Sequence, residues 1–226
     1  MSFKRATSGI PGLDDLIEGG LPENFIILVS GPSGTGKTTF CMQFLTEGVK
    51  QGEKGIYIGL GEDIEIIQKS MSHFGMDLEK CAEDDSLVFA DIPALNLDEV
   101  GTLLEAVSEE ERRLVIDPLS ALVFQYEDME LRQKIRELIE IIRTKNITAL
   151  ITTELPENSQ GISRFGVEDF LADGIIVLYY FRERAKRYRG LEVRKMRGTD
   201  HSSDIHLYKI SNDIGIQVFK NRIKFE

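Results

Sequence analysis

One stretch constrains this chain more than any other: Gly31-Pro32-Ser33-Gly34-Thr35-Gly36-Lys37-Thr38. The apolar run Phe25-Ile26-Ile27-Leu28-Val29 leads into it, and Thr39-Phe40-Cys41-Met42-Gln43-Phe44-Leu45 follows. That is a strand, a glycine turn and a helix in immediate succession, carrying the G-x-x-x-x-G-K-[ST] pattern of a phosphate-binding loop. The glycines let the backbone curl so that several N–H groups point inward at a phosphate. The helix behind them adds its positive N-terminal end. In this reading Lys37 reaches the terminal phosphates of a nucleotide and the Thr38 hydroxyl binds Mg²⁺. Gly31, Ser33, Gly34, Thr35, Gly36 and Thr39 complete the candidate nucleotide cradle.

A chain of 226 residues fits one large domain spanning residues 1–226. Hydrophobic residues at 42% and charged residues at 29% are ordinary for a globular protein. No apolar run approaches the roughly 20 residues a membrane span requires, and nothing behind Met1-Ser2-Phe3-Lys4-Arg5 resembles a secretory signal. The two cysteines, Cys41 and Cys81, offer at most one disulfide, and the expected compartment is a reducing cytoplasm. A net charge of −11 argues against nonspecific nucleic-acid binding by the surface as a whole.

Read in order, residues 7–17 form a turn and a short helix stopped by Gly19-Gly20-Leu21-Pro22. After the loop strand, a helix runs from Lys37 to about Lys50. Ile56-Tyr57-Ile58-Gly59-Leu60 is a second strand, followed by a helix over 64–74, and Leu87-Val88-Phe89-Ala90 is a third strand. Helical spacing of Leu97, Val100, Leu103, Leu104 and Val107 comes next. Glu109-Glu110-Glu111-Arg112-Arg113 reads as a solvated loop. Leu114-Val115-Ile116-Asp117 is a buried strand. Leu131, Ile135, Leu138, Ile139 and Ile142 mark a long amphipathic helix, and residues 147–153 a further strand. Such alternation implies a largely parallel sheet flanked by helices, with ligands at the carboxyl ends of its strands. Beyond Pro156 the pattern changes to β-rich runs with an Asn212-Asp213 turn, which predicts an antiparallel C-terminal extension.

Asp117 follows three buried β residues, as a metal-linked carboxylate at a strand end should. Hydrolysis also needs a group to orient the attacking water. Glu62, at the end of the second strand and expected next to the loop strand, is the candidate, with Asp63 capping the following helix. Thr153 and Glu154, at the end of the later strand, either sense a terminal phosphate or serve a purely structural role. The stretch 182–197 concentrates Arg182, Arg184, Lys186, Arg187, Arg189, Arg194, Lys195 and Arg197 against Glu183 and Glu192. Its target is a nucleic acid, a phosphate on a neighbouring subunit, or an acidic partner, unless it is simply a solvated hairpin.

Taken together, Thr7-Ser8-Gly9-Ile10-Pro11-Gly12-Leu13-Asp14, Gly19-Gly20-Leu21-Pro22, the loop 31–38, Asp117, Thr152-Thr153-Glu154, Gly166-Val167-Glu168-Asp169-Phe170 and Lys195-Met196-Arg197-Gly198-Thr199 resemble a KaiC-type domain of the RecA superfamily. The resemblance covers nearly the whole chain. It implies a RecA-like P-loop NTPase core, ATP and Mg²⁺ at subunit interfaces, and a homo-oligomeric, often six-membered ring. It also implies that Lys195 and Arg197 reach the γ-phosphate of the neighbouring protomer, with His201 close by. The chain departs from the family pattern in three ways. The family carries two adjacent glutamates after the second strand, the first serving as base, whereas here the pair is Gly61-Glu62. The phosphorylated Ser-Thr pair of the clock protein's second domain falls at Asp169-Phe170, so self-phosphorylation and a clock role are not expected. A glycine usual near Asn24 is absent.

These residues support a Mg²⁺-dependent, slow ATPase as the leading expectation. A nucleotide-gated binding module with little turnover is the alternative motivated by Gly61. A DNA-associated recombinase-like protein is the third, motivated by residues 182–189.

Overall fold

The computed structural model describes residues 3–61, 63–91, 97–121, 126–156, 161, 166, 172–183 and 186–222. Its centre is built from four strands, β3 (Ile26–Gly31), β4 (Lys54–Gly59), β6 (Glu111–Asp117) and β7 (Thr148–Glu154). They are buried along nearly their whole length because helices cover the sheet on both sides. Alternate side chains go to opposite faces. Ile27, Val29, Tyr57, Val115 and Leu150 pack with Phe40, Phe44 and Leu45 of α1 (Lys37–Lys50). Ile26, Leu28, Ile58, Ile116 and Ile151 pack on the other face against α4 (Leu97–Ala106) and α5 (Asp128–Thr144). Each fully buried Leu, Ile or Phe contributes about 1.5–3 kcal/mol of transfer free energy to this arrangement.

Short strands β1 (Arg5–Ala6) and β2 (Leu21–Pro22) pair at the start of the chain around a single 3₁₀ turn at Asp14–Leu16. Helices α2 (Ile64–Ser72) and α3 (Leu78–Glu83) lead to the edge strand β5 (Leu87–Asp91). The Asp63 carboxylate caps α2, accepting from the Glu65 N–H at 2.9 Å and the Ile66 N–H at 3.4 Å, as expected. At the other side lie β8 (Gly174–Glu183), β9 (Lys186–Met196), β10 (Ile205–Ser211) and β11 (Gly215–Arg222). Among the described residues the large sheet runs β11-β10-β9-β8-β3-β7-β6-β4-β5. From β8 to β5 every pairing is parallel, and from β8 to β11 every pairing is antiparallel. The expected α/β core with an antiparallel C-terminal extension is what the chain forms.

Two expectations need correction. The second strand, β4, is not beside the loop strand: β7 and β6 stand between β3 and β4. Parallel neighbours are joined by long crossovers, so order along the chain does not fix order across the sheet. The charged run 109–113 is also not a loop throughout, because β6 begins at Glu111. Strand alternation turns Arg113 to the α1 face together with Val115, and leaves it 1% exposed. There its Nε donates to Glu53 Oε2 at 2.6 Å, and Nη1 donates to the carbonyls of Thr7 at 2.8 Å and Phe44 at 2.7 Å. Its guanidinium lies 4.6 Å from the Phe44 ring centroid. A buried charge persists only where pairing and hydrogen bonds replace water, and this one ties the N-terminal segment to α1.

Candidate nucleotide-binding site

β3 ends at Gly31 and α1 begins at Lys37, so the intervening turn lies at the carboxyl edge of the sheet, where open α/β sheets bind ligands. Gly34 and Gly36 take φ values of +77° and +93°, a left-handed conformation that side-chain-bearing residues rarely adopt. These two residues give the loop its curl. A Cβ placed on Gly34 would meet no atom within 4 Å, so the mouth of the loop is open. Ser33 and Gly34 are exposed, Thr38 is half-buried, and Thr35 is fully buried. The Thr35 hydroxyl donates to the Pro32 carbonyl at 2.8 Å. Lys37 is 8% exposed, and its Nζ donates to the carbonyls of Gly31 at 3.0 Å and Pro32 at 3.1 Å. The loop's own carbonyls thus hold a cation within the turn.

Asp117 ends β6, two strands from the loop, on the α1 face of the sheet. It is 2% exposed. One carboxylate oxygen accepts the Thr152 hydroxyl from β7, and the other accepts the Tyr57 hydroxyl from β4 at 3.3 Å. The neighbouring strands thus fix the rotamer of the acid. The buried Cys41 thiol, one helical turn past Thr38, registers both charged groups of the site. Burial pushes it well above the usual thiol range, the Asp117 carboxylate raises it further, and Lys37 partly offsets the rise. Among the described residues no group of three or more His, Cys, Asp and Glu gathers. A hydroxyl and a single carboxylate fit a hard divalent cation such as Mg²⁺ that brings phosphate oxygens and waters with it. The residues present therefore suit a Mg²⁺–nucleotide.

Other expected positions are distributed as follows. Glu62 lies outside the described residues, as do Arg184, Val167, Glu168, Asp169 and Phe170. Gly61 takes φ +93°, so a glutamate there would be strained although a Cβ would meet nothing within 4 Å. Asn24 sits at φ +62°. Asparagine tolerates that left-handed conformation better than most residues. Glu154 is in register with Gly31 beside the loop, and the Leu155 N–H donates to the Gly31 carbonyl at 3.2 Å. Thr153 is fully buried on the opposite face from Asp117. On the β8–β9 hairpin, Arg187 and Arg189 stand over the Tyr180 ring at 5.1 and 5.0 Å.

Lys195 and Arg197 are not at the loop. Lys195 Nζ donates to the Ala172 carbonyl at 2.7 Å, and Arg197 Nη1 pairs with Asp173 at 2.9 Å. Asp173, 5% exposed, also pairs with Arg143 at 3.1 Å and accepts the Ile26 N–H at 3.2 Å. The pair therefore sits where β3 begins, whereas the phosphate loop starts where it ends. At about 3.3 Å per residue, the two are roughly 16 Å apart along the strand.

Sequence reading missed Tyr57 and Thr152 as partners of Asp117, and Asp173 as the partner of Arg197. The one available signal is Tyr57, whose hydroxyl in the buried run Ile56-Tyr57-Ile58 has to find an acceptor.

The sheet order, the loop at its carboxyl edge and the buried Asp117 define a phosphate-loop nucleotide-binding protein with a RecA-type core. The family model described as the KaiC ATPase matches residues 6–223, and the chain belongs to that family. It is 32% identical to the circadian clock protein KaiC3 of Synechocystis over 230 residues, 96% of this chain and 46% of that protein. It is 36% identical to the circadian clock oscillator protein KaiC of Prochlorococcus marinus subsp. pastoris over 234 residues, 97% of this chain and 46% of that protein. The chain thus spans less than half the length of these curated relatives. A crystal structure of a KaiC-like protein from Pyrococcus horikoshii OT3 superposes with a TM-score of 0.89 at 35% identity, covering 96% of this chain and 100% of that one. Among the described residues no helix is long and apolar enough to cross a membrane.

Proposed function

We propose that the chain is one ATPase domain that binds Mg²⁺–ATP between neighbouring copies of itself in a ring, hexameric by family resemblance, and hydrolyses it slowly. The observation that carries this reading is the glycine loop with Lys37 held over its carbonyls, together with Asp117 held on the α1 face by Thr152 and Tyr57. When bound, Mg²⁺ would neutralise charge on the β- and γ-phosphates. Thr38 and Asp117 would hold it, and the residues 31–39 would orient the phosphates. Lys195 and Arg197 would act on a neighbour's nucleotide, because their own loop is a strand's length away. Such a contact joins unlike surfaces of two copies, and a heterologous interface of that kind closes into a ring when its rotation permits. Glu62 is the residue proposed to orient water. Cys41 and Cys81 are free thiols, which suits a reducing cytoplasm.

The test is phosphate release by wild type, Lys37→Ala, Arg197→Ala and an equal mixture of the two variants. Each variant alone should lose most of its activity, and the mixture should regain part of it, because some interfaces combine an intact loop with an intact Arg197. Equal rates for wild type and Lys37→Ala would sink the ATPase reading. A mixture no better than its components would sink the action between subunits. Glycine at position 61, where the family resemblance expects the catalytic base, favours a second reading, a nucleotide-gated module. In that case wild type binds ATP but releases phosphate no faster than Lys37→Ala.

A further inference from the structure

We propose that Tyr208 is a positioning residue for the nucleotide, aiming the Gly36 N–H of the phosphate loop at the bound phosphate by holding the Thr35 carbonyl outward. The Tyr208 hydroxyl, on β10, donates to the Thr35 carbonyl at 2.6 Å. Tyr208 is 3% exposed and Thr35 fully buried, so that carbonyl has no bulk water to turn to. The amide joining Thr35 to Gly36 is planar and trans, and its C=O and N–H point in opposite directions. Fixing the carbonyl toward β10 fixes the Gly36 N–H on the opposite side of the peptide, away from β10. An N–H aligned before the ligand arrives costs no reorganisation on binding, which is how preorganisation improves affinity.

The position of the phenol is itself set by contacts outside the loop. A Cβ on Gly36 would come within 2.6 Å of Ile210 Cδ1 and 3.5 Å of Ile216 Cδ1, so β10 and β11 form a floor directly beneath this peptide. The hairpin is fastened to α1 through Gln43, which is 5% exposed. Gln43 Nε2 donates to the carbonyls of Ile214 and Ile216, each at 3.1 Å, and its Oε1 accepts the Ile216 N–H at 2.6 Å. Tyr208 pairs with Val218 of β11, so the strand that Gln43 fastens to α1 also braces the phenol. Burial pushes its phenol above the usual tyrosine range, so it stays protonated and able to donate. A phenylalanine would fill the same space, and the hydroxyl is the part whose role this assigns.

The inference rests on the phosphate-loop reading above, and the experiment separates the two. Mg²⁺–ATP affinity is measured by isothermal titration calorimetry at 25 °C for wild type, Tyr208→Phe and Ile210→Val in the full chain, with thermal midpoints of the nucleotide-free proteins. Tyr208→Phe should weaken ATP binding roughly tenfold, the factor that about 1.4 kcal/mol represents. Ile210→Val loosens the same floor without touching the hydrogen bond, and should lower the midpoint while leaving affinity within twofold. Unchanged affinity in Tyr208→Phe, or an equal loss in both variants, would overturn the assignment and leave Tyr208 as packing alone. A wild type that binds no ATP would instead bring down the phosphate-loop reading itself.

Discussion

Replacing Glu53 with glutamine tests how much of this fold depends on one buried charge. Arg113 is 1% exposed and has Glu53 as its counter-ion at 2.6 Å, while the Glu53 side chain is 29% exposed. Removing one partner of a fully buried pair costs about 3–5 kcal/mol, and of a surface pair about 0–1 kcal/mol. With one member fully buried and the other partly wet, we expect a loss of about 2–3 kcal/mol. Glutamine keeps an oxygen to accept the Nε–H, so the loss measures charge rather than shape. For a chain of this length, about 2–4 °C of melting temperature accompanies each kcal/mol, which gives a fall of roughly 4–12 °C. The assay is thermal unfolding followed by circular dichroism, repeated for Arg113→Met and for the double variant. Arg113→Met should also destabilise, since it leaves the Thr7 and Phe44 carbonyls without their donor. Adding Glu53→Gln to it should cost little more, because the charge that needed Glu53 is gone. A change below about 1 °C in Glu53→Gln, or fully additive losses in the double variant, would refute the reasoning.

Gly48→Ala, a change that favours a helix interior by about 1 kcal/mol, should nonetheless destabilise by about 1–2 kcal/mol in urea unfolding. Its Cβ would lie 2.5 Å from Cδ and Nε of the pinned Arg113, and overpacking of this kind outweighs propensity. Asp14→Asn should raise the melting temperature at pH 7 and lose that advantage as the pH falls toward 3. Burial raises the Asp14 carboxyl above its ordinary range, against hydrogen bonds from Ser8 that lower it. A raised folded-state value means that its stabilising contribution is complete below about pH 4 and is lost as the pH rises through the folded value. A melting-temperature profile from pH 3 to 8 checks the sign.

Where neighbours in the chain are also neighbours in space, the residues themselves were sufficient. The strand, glycine loop and helix around Lys37 occupy consecutive positions, and Asp117 follows its own apolar strand. The hairpin at Asn212-Asp213 likewise needs only local turn chemistry. Contacts between distant segments were not legible in this way. Arg112 and Arg113 look alike in a charged run, yet pairing of β6 with β4 and β7 sends Arg113 under α1 while Arg112 stays at the surface. Lys195 and Arg197 announce an appetite for anions, but only the pairing of β8 with β3 and β9 puts them at the opposite end of the strand from their own loop. Tyr208 lies 173 residues from the carbonyl it holds. Sequence alone determined that this chain has a phosphate loop and an α/β alternation to carry it, because both are written in short-range periodicity and backbone chemistry. Tertiary structure decided strand order, the burial of Arg113 and which groups brace the loop, because strand pairing and face alternation act across the whole chain.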